Sequence, residues 1–109
     1  MTVSAKGSRA KGVRGEREIS KLFEEHGFDV RGLEGQGDHI ATKTLGDKLI
    51  ALGLECKRQE RLKIPEWWRQ CAAETPDGMT PLLCFRQSGQ QWMAVLPVEA
   101  LLELLERDA

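Results

Sequence analysis

A chain of 109 residues and 12.2 kDa has room for one domain with a modest core and none for a second. A net charge of −1 excludes a uniformly basic nucleic-acid binder, so any such role must rest on how the charges are distributed. Three cysteines, odd in number and with no Cys-x-x-Cys pair, suggest neither a disulfide framework nor a zinc site, and no apolar stretch reaches the ~20 residues of a membrane span or resembles a signal peptide. The expectation is an intracellular, cytoplasmic protein with no membrane partner.

Residues 1–10 are polar, with Gly, Ser and Lys, and read as a flexible basic arm able to order on a phosphate backbone. A first helix is expected from near Lys11 to His26, stopped by Gly27, with Ile19, Leu22 and Phe23 as its apolar stripe and Glu16 on the same inward side. Phe28–Gly32 reads as a short alternating strand, and His39-Ile-Ala-Thr42 as the next. A turn over 43–48 around Gly46-Asp47 leads into Lys48–Lys57, apolar at nearly every position before Glu55, as in a central strand covered on both faces.

Pro65 suits the first turn of a second helix, in which Trp68, Cys71 and Ala72 form the expected core stripe and Trp67 is left for packing, base stacking or a subunit contact. Residues 81–86 and 91–96 read as two strands joined through Gln87-Ser-Gly89. After Pro97 a last helix follows with Val98, Leu101, Leu102 and Leu105 as its stripe, and Leu104 off its centre where it can serve an oligomer contact.

Charge is uneven along this order. Residues 1–17 carry Lys6, Arg9, Lys11, Arg14 and Arg17 against Glu16 alone, and residues 57–69 carry Lys57, Arg58, Arg61, Lys63 and Arg69 against Glu60 and Glu66. Residues 99–109 are acidic, with Glu99, Glu103, Glu106 and Asp108 against Arg107. Folded together, the two basic segments make a phosphate-binding rim, although each cation taken singly reads equally as a solvated surface group.

The chemistry lies in Gly37-Asp38, sixteen intervening residues, then Glu55-Cys56-Lys57. Alternate residues of a strand share a face, so Glu55 and Lys57 emerge side by side at the end of the buried run while Cys56 faces away. A bare Glu-x-Lys also fits a strand-end ion pair. Asp38 enters from a neighbouring strand after the turn Gly35-Gln-Gly37, and two carboxylates make a hard-cation site. Asp38, Glu55 and the Cys56 backbone carbonyl are expected to supply three oxygen ligands for Mg2+, for which Mn2+ can substitute. Lys57, roughly 6–7 Å along the strand from Glu55, is expected to reach back toward such an ion, orienting a water or phosphate oxygen there and stabilising charge. His39 alternates to the side opposite Asp38 and reads as packed.

Taken in order, Arg14-Gly-Glu-Arg-Glu-Ile19, His26-Gly-Phe-Asp-Val-Arg31, Gly37-Asp-His-Ile-Ala41, Leu54-Glu-Cys-Lys57 and Pro81-Leu-Leu-Cys-Phe85 followed by Trp92 resemble the PD-(D/E)xK nuclease superfamily, and within it the small Holliday junction resolvases of archaea and phages. The likeness spans about residue 11 to residue 105, with Gly37 at the nominal Pro position and a shorter loop before Asp38. It implies a restriction-endonuclease-like α/β/α sandwich around a mixed five-stranded sheet, in the order αβββαββα. It implies a Mg2+-dependent homodimer acting on four-way DNA junctions, prokaryotic or phage-encoded, and leaving 5′-phosphate and 3′-hydroxyl ends. It also makes Glu16 an additional metal ligand, direct or through water, and Arg31 a DNA contact beside the Lys11, Arg14, Arg17, Arg58, Arg61 and Lys63 of the basic segments. Two alternatives stay open: another nuclease of the superfamily acting on duplex or flap DNA, and a DNA-binding module without catalysis.

Overall fold

The computed structural model describes residues 3–32 and 39–106, with side chains described for 14–32 and 39–106. The element order is α1 (Val3–Glu25), β1 (Asp29–Gly32), β2 (His39–Leu45), β3 (Lys48–Arg58), α2 (Ile64–Glu74), β4 (Thr80–Arg86), β5 (Met93–Val95) and α3 (Val98–Glu106). The strands lie in the sheet in chain order, β1-β2-β3-β4-β5. Only β3 and β4 run parallel, joined by the crossover helix α2, and every other pair is antiparallel. The sheet is therefore mixed and five-stranded with helices on both faces, the restriction-endonuclease-like arrangement.

Local chemistry accounts for the element ends. Gly27 has φ +88°, and the Phe28 and Gly27 amides donate to the Phe23 and Glu24 carbonyls, both at 3.0 Å, the paired bonds of a Schellman stop. The β2–β3 hairpin is tighter than the expected 43–48 turn. Leu45 pairs directly with Lys48, leaving Gly46-Asp47 as a two-residue connection in which Gly46 takes φ +62°. Pro65 lies in the first turn of α2.

The two faces of the sheet carry separate cores. On one, Ile19 of α1 packs with Ala41, Ile50, Leu52, Leu54, Leu82 and Cys84, joined by Phe23, Phe28, Trp92 and Leu104. On the other, Trp67 and Cys71 of α2 pack on Leu83 with Phe85 and Val95.

Four expectations need correction. Helix α1 begins at Val3 rather than near Lys11, since Ala5, Lys6, Arg9, Ala10 and Lys11 favour helix and no proline interrupts them. In α2 the expected stripe of Trp68, Cys71 and Ala72 is displaced: Trp67 and Cys71 are buried, the Trp67 ring 6.5 Å from that of Phe85, Ile64 and Trp68 pack partly buried against them, and Ala72 is exposed. Trp67 is thus a core residue and is not exposed for base stacking. In α3 the stripe is inverted. Leu104 packs on the core, while Val98, Leu101, Leu102 and Leu105 are exposed, because this nine-residue helix meets the sheet along one narrow row. Strand β5 is also shorter than 91–96.

Gly53 lets α2 approach the sheet closely. A Cβ added there would lie 2.5 Å from Thr75 Oγ1 and 2.6 Å from its Cγ2, and that hydroxyl is held by the Cys71 carbonyl at 2.7 Å. Gly53→Ala is therefore expected to cost about 1–3 kcal/mol of overpacking, read as a melting temperature several degrees lower. A melting temperature unchanged from that of the parent chain would show that Thr75 yields freely.

Candidate active site

Strand β2 begins at His39, opposite Leu54, so among the described residues β3 has no neighbour on that side beyond Leu54. On its other side β3 continues along β4, with Glu55 opposite Leu83 and Lys57 opposite Phe85. Leu83 belongs to the α2 core, which places Glu55 and Lys57 on that face and Cys56 and Arg58 on the α1 face.

Glu55 is only 4% exposed, and Lys57 Nζ lies 3.4 Å from its Oε1. The expected side-by-side placement is present, and so is the ion pair that any Glu-x-Lys can make. Burial gives this pair its significance: a carboxylate withdrawn from water needs compensating cations and donors. Glu16 is partly buried on α1 and lines an open depression of about 340 Å³ with Arg17, Ser20, Lys21, Glu24 and His39. The Cys56 thiol is pushed far above its ordinary value, first by burial and then by Cys84 and by the carboxylates of Glu55 and Glu16. Both carboxylates therefore act on the same end of β3. Burial also pushes the Cys84 thiol up to about 12, so neither cysteine is a thiolate nucleophile at ordinary pH.

Asp38 lies outside the described residues, although its neighbour His39 is paired opposite Leu54. Among the described residues no group of three His, Cys, Asp or Glu side chains is placed to hold a metal ion. The donors that are described fit a hard divalent cation in kind: carboxylate oxygens, one of them deeply buried, beside a backbone carbonyl at Cys56.

His39, at the start of β2, is partly buried. It borders the depression beside Glu16, and also a space of about 10 Å³, sufficient for one water, lined by Gly53, Glu55, Cys71 and Glu74 among others. Its Nδ1 is buried with no hydrogen-bond partner among the described residues. No signal in the sequence beyond its adjacency to Asp38 marks it.

The expected DNA contacts separate into two groups. Arg14, Arg17, Arg61 and Lys63 are exposed. Arg31 is exposed and paired with Asp29 at 3.1 Å on β1. The Lys11 side chain lies outside the described residues. Arg58 is different: its side chain is 16% exposed and its Nη1 lies 3.2 Å from Glu18 Oε1. Glu18 Oε2 also accepts from Arg86 Nη1 at 2.8 Å and Trp92 Nε1 at 2.9 Å. Sequence reasoning passed over Glu18, Arg86 and this use of Trp92. Gln70 is exposed on α2 and donates to Glu74 at 3.4 Å.

Comparison with solved structures finds Archaeoglobus fulgidus Hjc, a Holliday junction resolvase from an archaeal hyperthermophile, at a TM-score of 0.56 and 20% identity, over 79% of this chain and 72% of that one. At that identity the likeness concerns the fold. No curated protein matches the chain significantly. None of the described helices is long and apolar enough to cross a membrane. The family model described as "Phage putative PDDEXK endonuclease" matches residues 7–108, nearly the whole sequence, and the chain belongs to that PDDEXK endonuclease family.

Proposed function

We propose that this nuclease is a metal-dependent DNA endonuclease that cuts four-way junctions as a homodimer. The observation that carries the catalytic part is the buried Glu55 carboxylate near the end of β3 with Lys57 Nζ 3.4 Å away. Asp38, Glu55, the Cys56 carbonyl and, directly or through water, Glu16 would hold Mg2+. When bound, the ion supplies charge neutralisation at the phosphate and a more acidic water. Glu55 holds the Lys57 ammonium by charge, in place to orient the incoming water or a phosphate oxygen and to stabilise charge developing there. The exposed Arg14, Arg17, Arg31, Arg61 and Lys63, with Lys11, would bind backbone phosphates. Arg58 differs from these in being only 16% exposed as well as engaged by Glu18, whereas Arg31 keeps an exposed side chain beside Asp29.

The junction preference draws on the fold likeness to the archaeal resolvase and on symmetry. Two matched incisions need two sites about a twofold axis, and one small domain supplies one. The exposed Val98, Leu101, Leu102 and Leu105 of α3 give a second copy an apolar surface to pair with. The second reading is a nuclease of duplex or flap DNA.

The test is cleavage of a four-way junction, a flap, a linear duplex and a single strand, each with Mg2+, Mn2+, Ca2+ or excess chelator. Cutting of the junction with Mg2+ or Mn2+, and binding without cutting in Ca2+, is the expected pattern, because calcium's larger radius and looser geometry misplace the water. Full activity in chelator would rule out the carboxylate–metal reading. Preferential cutting of duplex or flap would select the second one.

A further inference from the structure

We infer that Glu18 is a positioning residue for the nuclease site: it clamps α1, which carries Glu16, onto the α1 face of the ends of β3 and β4, one residue beyond Lys57. The inference rests on the metal-dependent reading above. Arg58 and Arg86 are register partners at the ends of the two parallel strands, and Arg58 directly follows Lys57. One carboxylate, reaching down from α1, meets both guanidinium groups, at 3.2 and 2.8 Å, and the Trp92 indole at 2.9 Å. The approach is close along this stretch of helix, since a Cβ placed on Gly15 would lie 3.1 Å from Arg58 Cβ and 3.4 Å from Trp92.

The charge balance makes the clamp directional. Two cations sit side by side with side chains only 16% and 23% exposed, and the Nε atoms of both are buried without hydrogen-bond partners among the described residues. Among the described residues the Glu18 carboxylate is the anion that engages both. Remove its charge and the two guanidinium groups repel each other one residue beyond Lys57, and α1 loses its polar tie to the strands. Glu16 lies two residues before Glu18 on that helix, so a shift of α1 moves it relative to Glu55. The core contact of Ile19 is untouched, so the fold survives while the carboxylate constellation loosens.

The decisive measurement is Mn2+ binding to the DNA-free protein by calorimetry, well below the melting temperature of each variant, with the circular dichroism spectrum as a check of fold. Glu18→Gln is expected to keep the spectrum and to weaken Mn2+ binding by about tenfold, the size usual for a residue that orients metal ligands. Trp92→Phe, which removes one hydrogen bond and leaves both ion pairs, is expected to stay within about twofold. Arg86→Gln loosens the clamp from β4 and serves as a second test should Glu18→Gln fail to fold; it too is expected to weaken binding. Unchanged Mn2+ affinity in a folded Glu18→Gln or Arg86→Gln variant, with only a lower melting temperature, would make Glu18 a stabilising residue and overturn the inference. Glu55→Gln in the same series separates the two levels. If it binds Mn2+ as the parent chain does, or if the parent chain binds none, the metal reading fails and the clamp inference with it.

Discussion

Glu55→Gln is expected to lower cleavage by about 10²–10³-fold or more while leaving the fold and most DNA binding intact. The substitution keeps the shape of a side chain that is only 4% exposed, removes its negative charge, and touches neither core. Asp38→Asn and Lys57→Ala are expected to abolish turnover as well, but Lys57→Ala differs in stability. It strips a buried carboxylate of a cation at 3.4 Å, a loss of about 3–5 kcal/mol where such a pair is fully desolvated. Single-turnover cleavage and thermal melting, measured on all three variants, separate chemistry from folding. Near-normal turnover by a well-folded Glu55→Gln protein would remove Glu55 from the active site and return the Glu55–Lys57 pair to a strand-end ion pair.

A four-way junction is expected to bind roughly 10²-fold more tightly than a linear duplex of the same sequence, to a protein that sediments as a dimer of about twice the chain mass. If two subunits pair with their basic rims on one side, a duplex satisfies one rim at a time whereas the arms of a junction engage both. Affinity should fall steeply with salt, and replacing Lys11 and Arg14 together should weaken every sequence alike, since phosphate contacts carry no base information. Placing glutamates at Leu101 and Leu105 is expected to yield monomers and to remove the junction preference while sparing slow duplex nicking. Equal affinity for junction and duplex at one salt concentration, or a monomer at micromolar concentration that cuts duplex efficiently, would favour the general nuclease.

Features that depend on near neighbours were legible before any coordinates. The apolar run into Glu55 and Lys57, with its two-residue alternation, placed that pair on one face of a central strand, and Gly27, Gly46 and Pro65 marked ends that the backbone does adopt. Each is decided by φ, by a missing amide proton or by strand period, all properties of a few adjacent residues. The element order followed from the same signals, and the motif order pointed to the family that the comparisons establish.

Choices among equivalent local solutions were not legible. Trp67 and Trp68 are both compatible with an amphipathic α2, and only the approach of Leu83 and Phe85 selects Trp67 for the core. The four apolar residues of α3 that make the better helical stripe are left exposed while Leu104 packs on the core, because what the rest of the chain brings against the helix, rather than periodicity, decides which row is covered. Glu18 joins Arg86 and Trp92 across 68 and 74 residues of sequence, and no local pattern links them. The sequence by itself determined the elements and the Glu55–Lys57 pair, since those follow from backbone geometry over a few residues. Tertiary structure alone decided which helix faces are buried and what fixes α1 over the strand ends, because burial and ion pairing depend on residues that meet only when the sheet has formed.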